Sequence, residues 1–382
     1  MSGFNPQRGF GVYVHWPYCA RICPYCDFNV YAAKARDTAP LFDAILQDLE
    51  GWRARTGERR ADAIFFGGGT PSLMTGDQVA RLIAKVDELW GLNPDAEITL
   101  EANPDDAARF ADFSAAGVNR LSLGLQSLDD ARLKFLGRTH TAADALAALS
   151  EAQRHFRSTS IDLIYALPNQ TAEDWRAELA RALALGADHL SLYELSIEPG
   201  AAFFQAVKRK DWSPLDDEHA ADLYEITQEL ADAAGYPAYE ISNHARGAEH
   251  QSAHNRIYWS SGDWAAVGPG AHGRLTVGPE RWAVVAAEKP PEYLRQVSAN
   301  SLGWAAVDAL DPLAQARERV SMGLRVIEGF AATDVTDLGL SLDAEKLAEF
   351  AASGLLTNDN GRIALTRSGR LMADRIAGEI SP

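Results

Sequence analysis

Cys19, Cys23 and Cys26 are the only cysteines in the 382-residue chain, and they fall in one short stretch, C-x3-C-x2-C. Three thiolates on one loop can hold three corners of a cubane 4Fe–4S cluster, whose iron atoms prefer sulfur ligands. The fourth iron stays open. An open iron can chelate the amino and carboxylate groups of S-adenosylmethionine (SAM), and one electron from the reduced cluster then breaks the sulfonium C–S bond to give a 5′-deoxyadenosyl radical. The competing chemistry is a structural zinc with His15 as fourth ligand. That arrangement is less usual than two paired knuckles, and it leaves the glycine run described below unexplained. An odd, clustered set of cysteines is no disulfide framework; it fits a reduced, metal-holding loop in a compartment that keeps thiols free.

From residue 10 to about 242 the chain alternates β-rich runs with amphipathic stretches, at a spacing that suits parallel strands joined by crossover helices. Six strands are expected, over residues 11–15, 63–66, 97–101, 120–125, 160–165 and 189–195, with a further one near 239–241. Helices are expected over 39–55, 76–90, 141–156 and 172–185, with Asp105 and Thr171 marking helix starts. Repeated strand–helix units form a barrel or an open doubly wound sheet, and both place the ligand site at the carboxyl ends of the strands. The unusual residues follow the strands accordingly. The cysteines follow the first, Gly67-Gly68-Gly69-Thr70-Pro71 the second, Glu101-Ala-Asn103-Pro104 the third and Gln126-Ser127 the fourth. Glycines there let the backbone approach a ligand. Glu101, Gln126, Arg138 and Asp162 suit the ribose hydroxyls, amino group and carboxylate of a nucleoside amino acid.

A section from about 236 to 290, dense in Gly, Pro, His and aromatic residues, reads as loops closing over the barrel mouth. Beyond 308 the pattern is helix, hairpin (Leu355 to Leu365) and helix, a small winged-helix-like module with a packing role, since it is not notably basic. The expected organisation is an α/β chain: a barrel over 1–242, a loop-rich closing segment over 243–305, and an α+β winged module over 306–382. Lys and Arg total 36 against 53 Asp and Glu, and a net charge of -17 repels nucleic-acid phosphates and anionic membrane surfaces. The opening MSGFNPQRGF has no apolar run, and no later stretch approaches the ~20 apolar residues of a membrane span. A cytoplasmic location is expected.

Several motifs occur in order: Tyr13-Val-His15-Trp-Pro17-Tyr-Cys19-x3-Cys23-Pro-Tyr25-Cys26, GGGTP, Gly124-Leu-Gln126-Ser127, Gly137-Arg138-x-His140 and Asp162-Leu-Ile-Tyr-x-Leu-Pro168. Together they resemble the oxygen-independent coproporphyrinogen III oxidase family of radical SAM proteins over nearly the whole chain. The resemblance implies a partial barrel of six strands, with SAM contacted by Tyr13, Tyr25, Gly68, Gly69, Thr70, Glu101, Gln126, Arg138, Asp162 and Ser196. Within that family, the true oxidases resemble a C-x3-C-x2-C-x-C pattern with a longer segment ahead of it. Phe28 stands here where the last cysteine would be, and Tyr13 is almost at the start. Both features, and the HNxxYW sequence His254-Asn255-Arg256-Ile257-Tyr258-Trp259, match the HemW-type haem chaperones of the family. The resemblance implies His254 as a candidate haem ligand, with His244, His250 and His272 weaker ones; His and Tyr are both plausible axial ligands. It further implies haem as cargo, haem-accepting respiratory enzymes and an electron donor as partners, and a homodimer. The alternative it leaves is the decarboxylase itself, acting on propionate side chains; another is a cluster-bearing scaffold with a degenerate SAM site.

Overall fold

The computed structural model describes residues 8–34 and 37–381, so residues 1–7 of the opening stretch read for a leader lie outside the described residues. Its main sheet has eleven strands. In chain order these are β1 Phe10–Trp16, β2 Ala61–Gly68, β3 Leu92–Ala102, β4 Arg120–Gln126, β5 Ser158–Tyr165, β6 His189–Glu194, β7 Asn243–Ala245, β8 Asp263–Val267, β9 His272–Val277, β10 Glu280–Ala286 and β11 Trp304–Leu310. The spatial order is β11-β10-β9-β8-β1-β2-β3-β4-β5-β6-β7. Strands β1 to β6 run parallel in sequence order, the six-stranded partial barrel. Helices α1 Ala39–Thr56, α2 Gly76–Trp90, α3 Asp130–Phe135, α4 Ala142–His155 and α5 Ala172–Leu183 cross between them, with the short helix Phe110–Ala115 between β3 and β4.

Local chemistry explains the boundaries. Thr75, Thr141 and Thr171 each cap a helix and form a capping box with the residue three positions on, satisfying backbone N–H groups that the helix leaves orphaned. The residues of β4 to β6 alternate. Leu121, Leu123, Leu125, Ile161, Leu163, Leu190 and Leu192 point outward under the helices and are fully buried, each stabilising the fold by roughly 1.5–3 kcal/mol. Their polar neighbours point into the barrel.

Three expectations need correction. The 236–290 section is not a loop cover: β8 pairs parallel with the outer side of β1, and β9, β10 and β11 extend the sheet as an antiparallel meander. Gly268-Pro-Gly and Gly278-Pro279 punctuate these short strands, so turn signals mask them. Buried Asp263 holds the extension in place through Arg59 at 2.8 Å and Arg281 at 2.9 Å. The strand expected near 239–241 lies instead at β7, antiparallel to β6. Asp105 is not an N-cap; Asn103 precedes that 3-10 turn, and Asp105 accepts a hydrogen bond from the Thr139 hydroxyl.

The C-terminal part builds its own core around Val320, Phe330, Ile363 and Ile376. Strands β12 Phe330–Ala331, β13 Leu356–Asp359 and β14 Arg362–Leu365 form its small sheet, with the hairpin between helices Ala344–Ala352 and Ala373–Ile380. No helix among the described residues is long and apolar enough to cross a membrane.

Candidate functional site

A cavity of about 440 Å³ opens at the carboxyl ends of the parallel strands, within the range of sites that hold a small ligand or cofactor. The three cysteines line it together with Tyr25, Gly68, Gly69, Thr70, Glu101, Gln126, Arg138, Asp162 and Ser196. The structure thus brings twelve of the fourteen residues singled out from the sequence to one cavity. Tyr13 and His254 are not on its surface.

The cysteine loop is closed at its stem. Tyr18–Cys19 and Tyr31–Ala32 pair as a short parallel bridge, and the GGGTP turn joins it: Gly69 N–H donates to the Trp16 carbonyl at 2.8 Å and Thr70 N–H to that of Tyr18 at 2.9 Å. The glycines are required by this packing. A Cβ on Gly68, whose φ is +107°, would lie 2.5 Å from the His15 ring, and one on Gly69 2.8 Å from the Tyr18 carbonyl oxygen. The run therefore lets two turns of the chain meet, beyond any approach to a ligand. His15 is committed elsewhere, with Nδ1 against the Tyr13 hydroxyl at 3.0 Å and Nε2 against the Asn29 carbonyl at 3.0 Å. No three His, Cys, Asp or Glu among the described residues are grouped as ligands of a single ion.

Arg138 donates to Cys23 Sγ at 3.4 Å, to the Gly124 carbonyl at 3.1 Å and to the Asn103 amide oxygen. Burial pushes the Cys19 thiol up, partly offset by the Thr70 hydroxyl, and pushes Cys26 up to about 11. Ligation by these groups releases protons. Gln126 has φ of +66° beside a bulge in the β4–β5 pairing. Such a conformation costs on the order of 1 kcal/mol and turns the side chain toward the cavity.

Below the loop lie two half-buried carboxylates. Glu101 accepts from Gly68 N–H at 3.1 Å, and burial, then the nearby Asp162 charge, pushes it up to about 8. Asp162 accepts from the Ser122 hydroxyl at 3.2 Å; burial raises it to about 6 despite Ser191, Ser122 and the Arg120 and Arg138 charges. Half-buried acceptors with spare lone pairs, below a loop of three thiols, fit the hydroxyls and ammonium of SAM beneath a cluster. Sequence reasoning missed a polar set of this lining: Thr99, Arg120, Ser122, Ser160, His189 and Ser191. The available signal was alternation, as in Arg120-Leu-Ser122-Leu-Gly124-Leu-Gln126, where one strand face is polar and the other apolar.

His254 lies on helix α6 Ala253–Trp259. Its ring stacks on Phe65 at 4.4 Å, meets Tyr258 at 4.2 Å and Tyr13 at 5.7 Å, and burial drives its pKa down to about 3. Its Nδ1 has no hydrogen-bond partner among the described residues. Its neighbours Ser252 and Asn255 do reach the cavity. His244 is fully buried beside Gln228, His250 lies 4.0 Å from Asp188, and His272 begins β9.

A parallel partial barrel with three cysteines at its ligand-binding end is the architecture of a radical SAM protein. Residues 13–182 match the radical SAM superfamily, whose members imply a 4Fe–4S cluster and SAM, and residues 310–372 match the HemN C-terminal domain. The chain is 38% identical over 379 residues to the mitochondrial radical S-adenosyl methionine domain-containing protein 1 of Bos taurus, covering 96% of this chain and 86% of that protein. It is 36% identical to the heme chaperone HemW of Mycobacterium tuberculosis over 98% of this chain and 96% of that one. In fold it is similar to the coproporphyrinogen III oxidase HemN of Escherichia coli, with a TM-score of 0.83 at 24% identity over 99% of this chain and 91% of that one. The chain belongs to the HemN- and HemW-type family of radical SAM proteins.

Proposed function

We propose that the chain is a cytoplasmic haem chaperone that binds haem and a SAM-ligated 4Fe–4S cluster and delivers haem to membrane-bound respiratory enzymes. The observation that carries this reading is the end-to-end likeness to the mycobacterial heme chaperone. Phe28 supports it: the side chain standing at the oxidases' fourth cysteine lies on the cavity rim, 60% exposed.

In this reading Cys19, Cys23 and Cys26 hold the cluster, which when bound supplies the electron that opens the SAM sulfonium. Arg138 keeps Cys23 oriented. Glu101 and Asp162 accept from SAM, Gly68, Gly69 and Thr70 line its cavity with their N–H groups committed to Glu101, Trp16 and Tyr18, and Tyr25, Gln126 and Ser196 complete its walls. Tyr13 acts from behind, fixing His15 and through it the position of Gly68. His254 is the proposed haem ligand; its stacking on Phe65 means that α6 must lift before its ring meets iron. An electron donor and a homodimer formed on cluster loading complete the proposed partnership.

The test is anaerobic cluster reconstitution followed by haem titration and, in parallel, incubation with SAM, reductant and coproporphyrinogen III. Haem binding without protoporphyrinogen IX is the expected result. Turnover of the porphyrinogen by protein that does not bind haem would replace this reading with the decarboxylase.

A further inference from the structure

Helix α6 is held at its two ends by different parts of the chain. Its amino end sits on the barrel: the Ala253 N–H and the Ser252 hydroxyl donate to Glu97 at 3.1 and 3.4 Å, Glu97 lies 3.6 Å from Arg120, and Ser252 and Asn255 line the SAM cavity. Its carboxyl end is held by the C-terminal module. Arg256 donates to both carboxylate oxygens of Glu328 at 3.1 and 3.2 Å, and the Arg325 guanidinium lies over the Trp259 ring, 5.2 Å from its centre. The Ser260 hydroxyl, just past the helix, donates to the Arg8 carbonyl at 3.3 Å, and Arg8 pairs with Asp334 of the module at 3.3 Å.

Arg325 and Glu328 move with the module. They sit in the turn between helix Pro312–Gly323 and β12. Arg362 of β14 donates to the Glu328 and Gly329 carbonyls at 2.9 and 3.1 Å, and Gly329, at φ of +64°, packs so closely on β14 that a Cβ would lie 1.9 Å from the Ile363 carbonyl oxygen. The seating of the module on the barrel is mostly polar. Ile241 packs against the module's own core, but Ile327 N–H donates to the Tyr239 carbonyl at 3.2 Å, Arg367 pairs with Asp232, and Arg370 donates to Gln228 at 3.4 Å. Along this seam Tyr224 Oη, His244 Nδ1, Arg325 Nε and Arg370 Nε are buried without hydrogen-bond partners among the described residues. Buried polar atoms left unpaired weaken an interface, so the seam opens more readily than either core.

We propose that the C-terminal module is a latch on α6: Arg325 and Glu328 hold the helix, and the His254 ring with it, against Phe65, and a shift of the module frees the helix to swing about Ser252 and present His254 to haem. The inference rests on His254 as the haem ligand. The two contacts are modest, an exposed ion pair and a cation over an indole, and losing both enlarges the open population by about 3- to 30-fold. Apparent haem affinity rises by the same factor, because a ligand that needs the open form binds in proportion to how much of it is present.

The test uses the full chain with its cluster reconstituted and compares the wild type with the Arg325→Ala, Glu328→Ala double variant. Hydrogen exchange over residues 253–259 should quicken by about 3- to 30-fold in the variant while β3 to β5 exchange as in the wild type, and haem, followed by its absorbance, should bind tighter by that same factor. Arg375→Ala, which breaks an ion pair with Glu379 inside the module at 2.7 Å, should change neither. Exchanging the charges, Arg256→Glu with Glu328→Arg, should restore the slow exchange that Glu328→Arg alone loses. Unchanged exchange over 253–259 in the double variant, with its cluster content intact, overturns the proposal. Quickened exchange with unchanged haem affinity overturns it too, and His254→Ala then shows where the failure lies: haem bound as in the wild type removes the ligand assignment, whereas haem lost keeps that assignment and refutes the latch alone.

Discussion

Glu101 and Asp162 stand on strands, whereas Cys19, Cys23 and Cys26 stand on a loop, and the two halves of one cavity are held by different means. Strand register fixes the carboxylates: Glu101 lies opposite Ser122, and Gly124 opposite Asp162. Their position is rigid, and the cost is desolvation, visible in the raised pKa of both. The loop has no such frame. It depends on tethers from distant segments: Arg138 on Cys23, Phe203 on Pro24, and the Asn29 amide donating to the carbonyls of Pro269 at 2.9 Å and Glu288 at 2.8 Å. Each tether contributes about 1 kcal/mol net. The acceptors for a ligand are preorganised, and the metal-holding half is as firm as the contacts the rest of the chain makes to it.

The contrast can be broken most severely at the loop's own sulfurs. Replacing all three cysteines with alanine should abolish iron retention and the visible absorbance of the reconstituted protein, while the melting temperature of the apo chain stays within a few degrees, because the loop carries little core. On the strand side, Glu101→Gln with Asp162→Asn should lower SAM affinity by about 100-fold, the loss of two charge-assisted hydrogen bonds. The same change should leave the apo chain more stable above about pH 8, where both carboxylates carry charge inside the barrel. Asn29→Ala should cost about 2 kcal/mol and speed iron loss from the cluster during gel filtration, without altering SAM affinity in the fraction that retains it. Gly68→Ala, forced against His15, should destabilise by about 1–3 kcal/mol in denaturant titration.

The smallest effect is one of pH. Glu101 goes from an ordinary 4.5 to about 8 on folding, so between those values the native chain holds a proton that the unfolded chain has lost. The stability this confers is complete below about 4.5 and is lost as pH rises through about 8. Thermal melts of apo protein across this window should show that decline, and Glu101→Gln should flatten it.

Much of this arrangement was legible from residue patterns. Residue patterns mark the six barrel strands to within two residues at most ends, because β-rich runs alternate with amphipathic stretches and Thr caps mark the helix starts. β3 was the exception, beginning at Leu92 with exposed residues that no burial pattern could flag. The cysteine loop and the GGGTP turn were legible as chemistry, yet the reason for the glycines was not, since it lies in the approach of His15 and Tyr18 from another strand. The sheet extension was hidden by its own Gly and Pro turns. Asn29 was invisible, because its meaning depends on Pro269 and Glu288, more than two hundred residues away. His254 shows the same limit: the sequence placed it among aromatics, and packing decided that Phe65 and Tyr13 cover it.

Electron paramagnetic resonance of the reduced, reconstituted chain, before and after SAM is added, tests the central claim most directly. A cluster signal that changes shape on SAM addition in the wild type, and fails to change in Glu101→Gln with Asp162→Asn, is the expected result. A cluster that forms on the three cysteines but is indifferent to SAM in the wild type would contradict it.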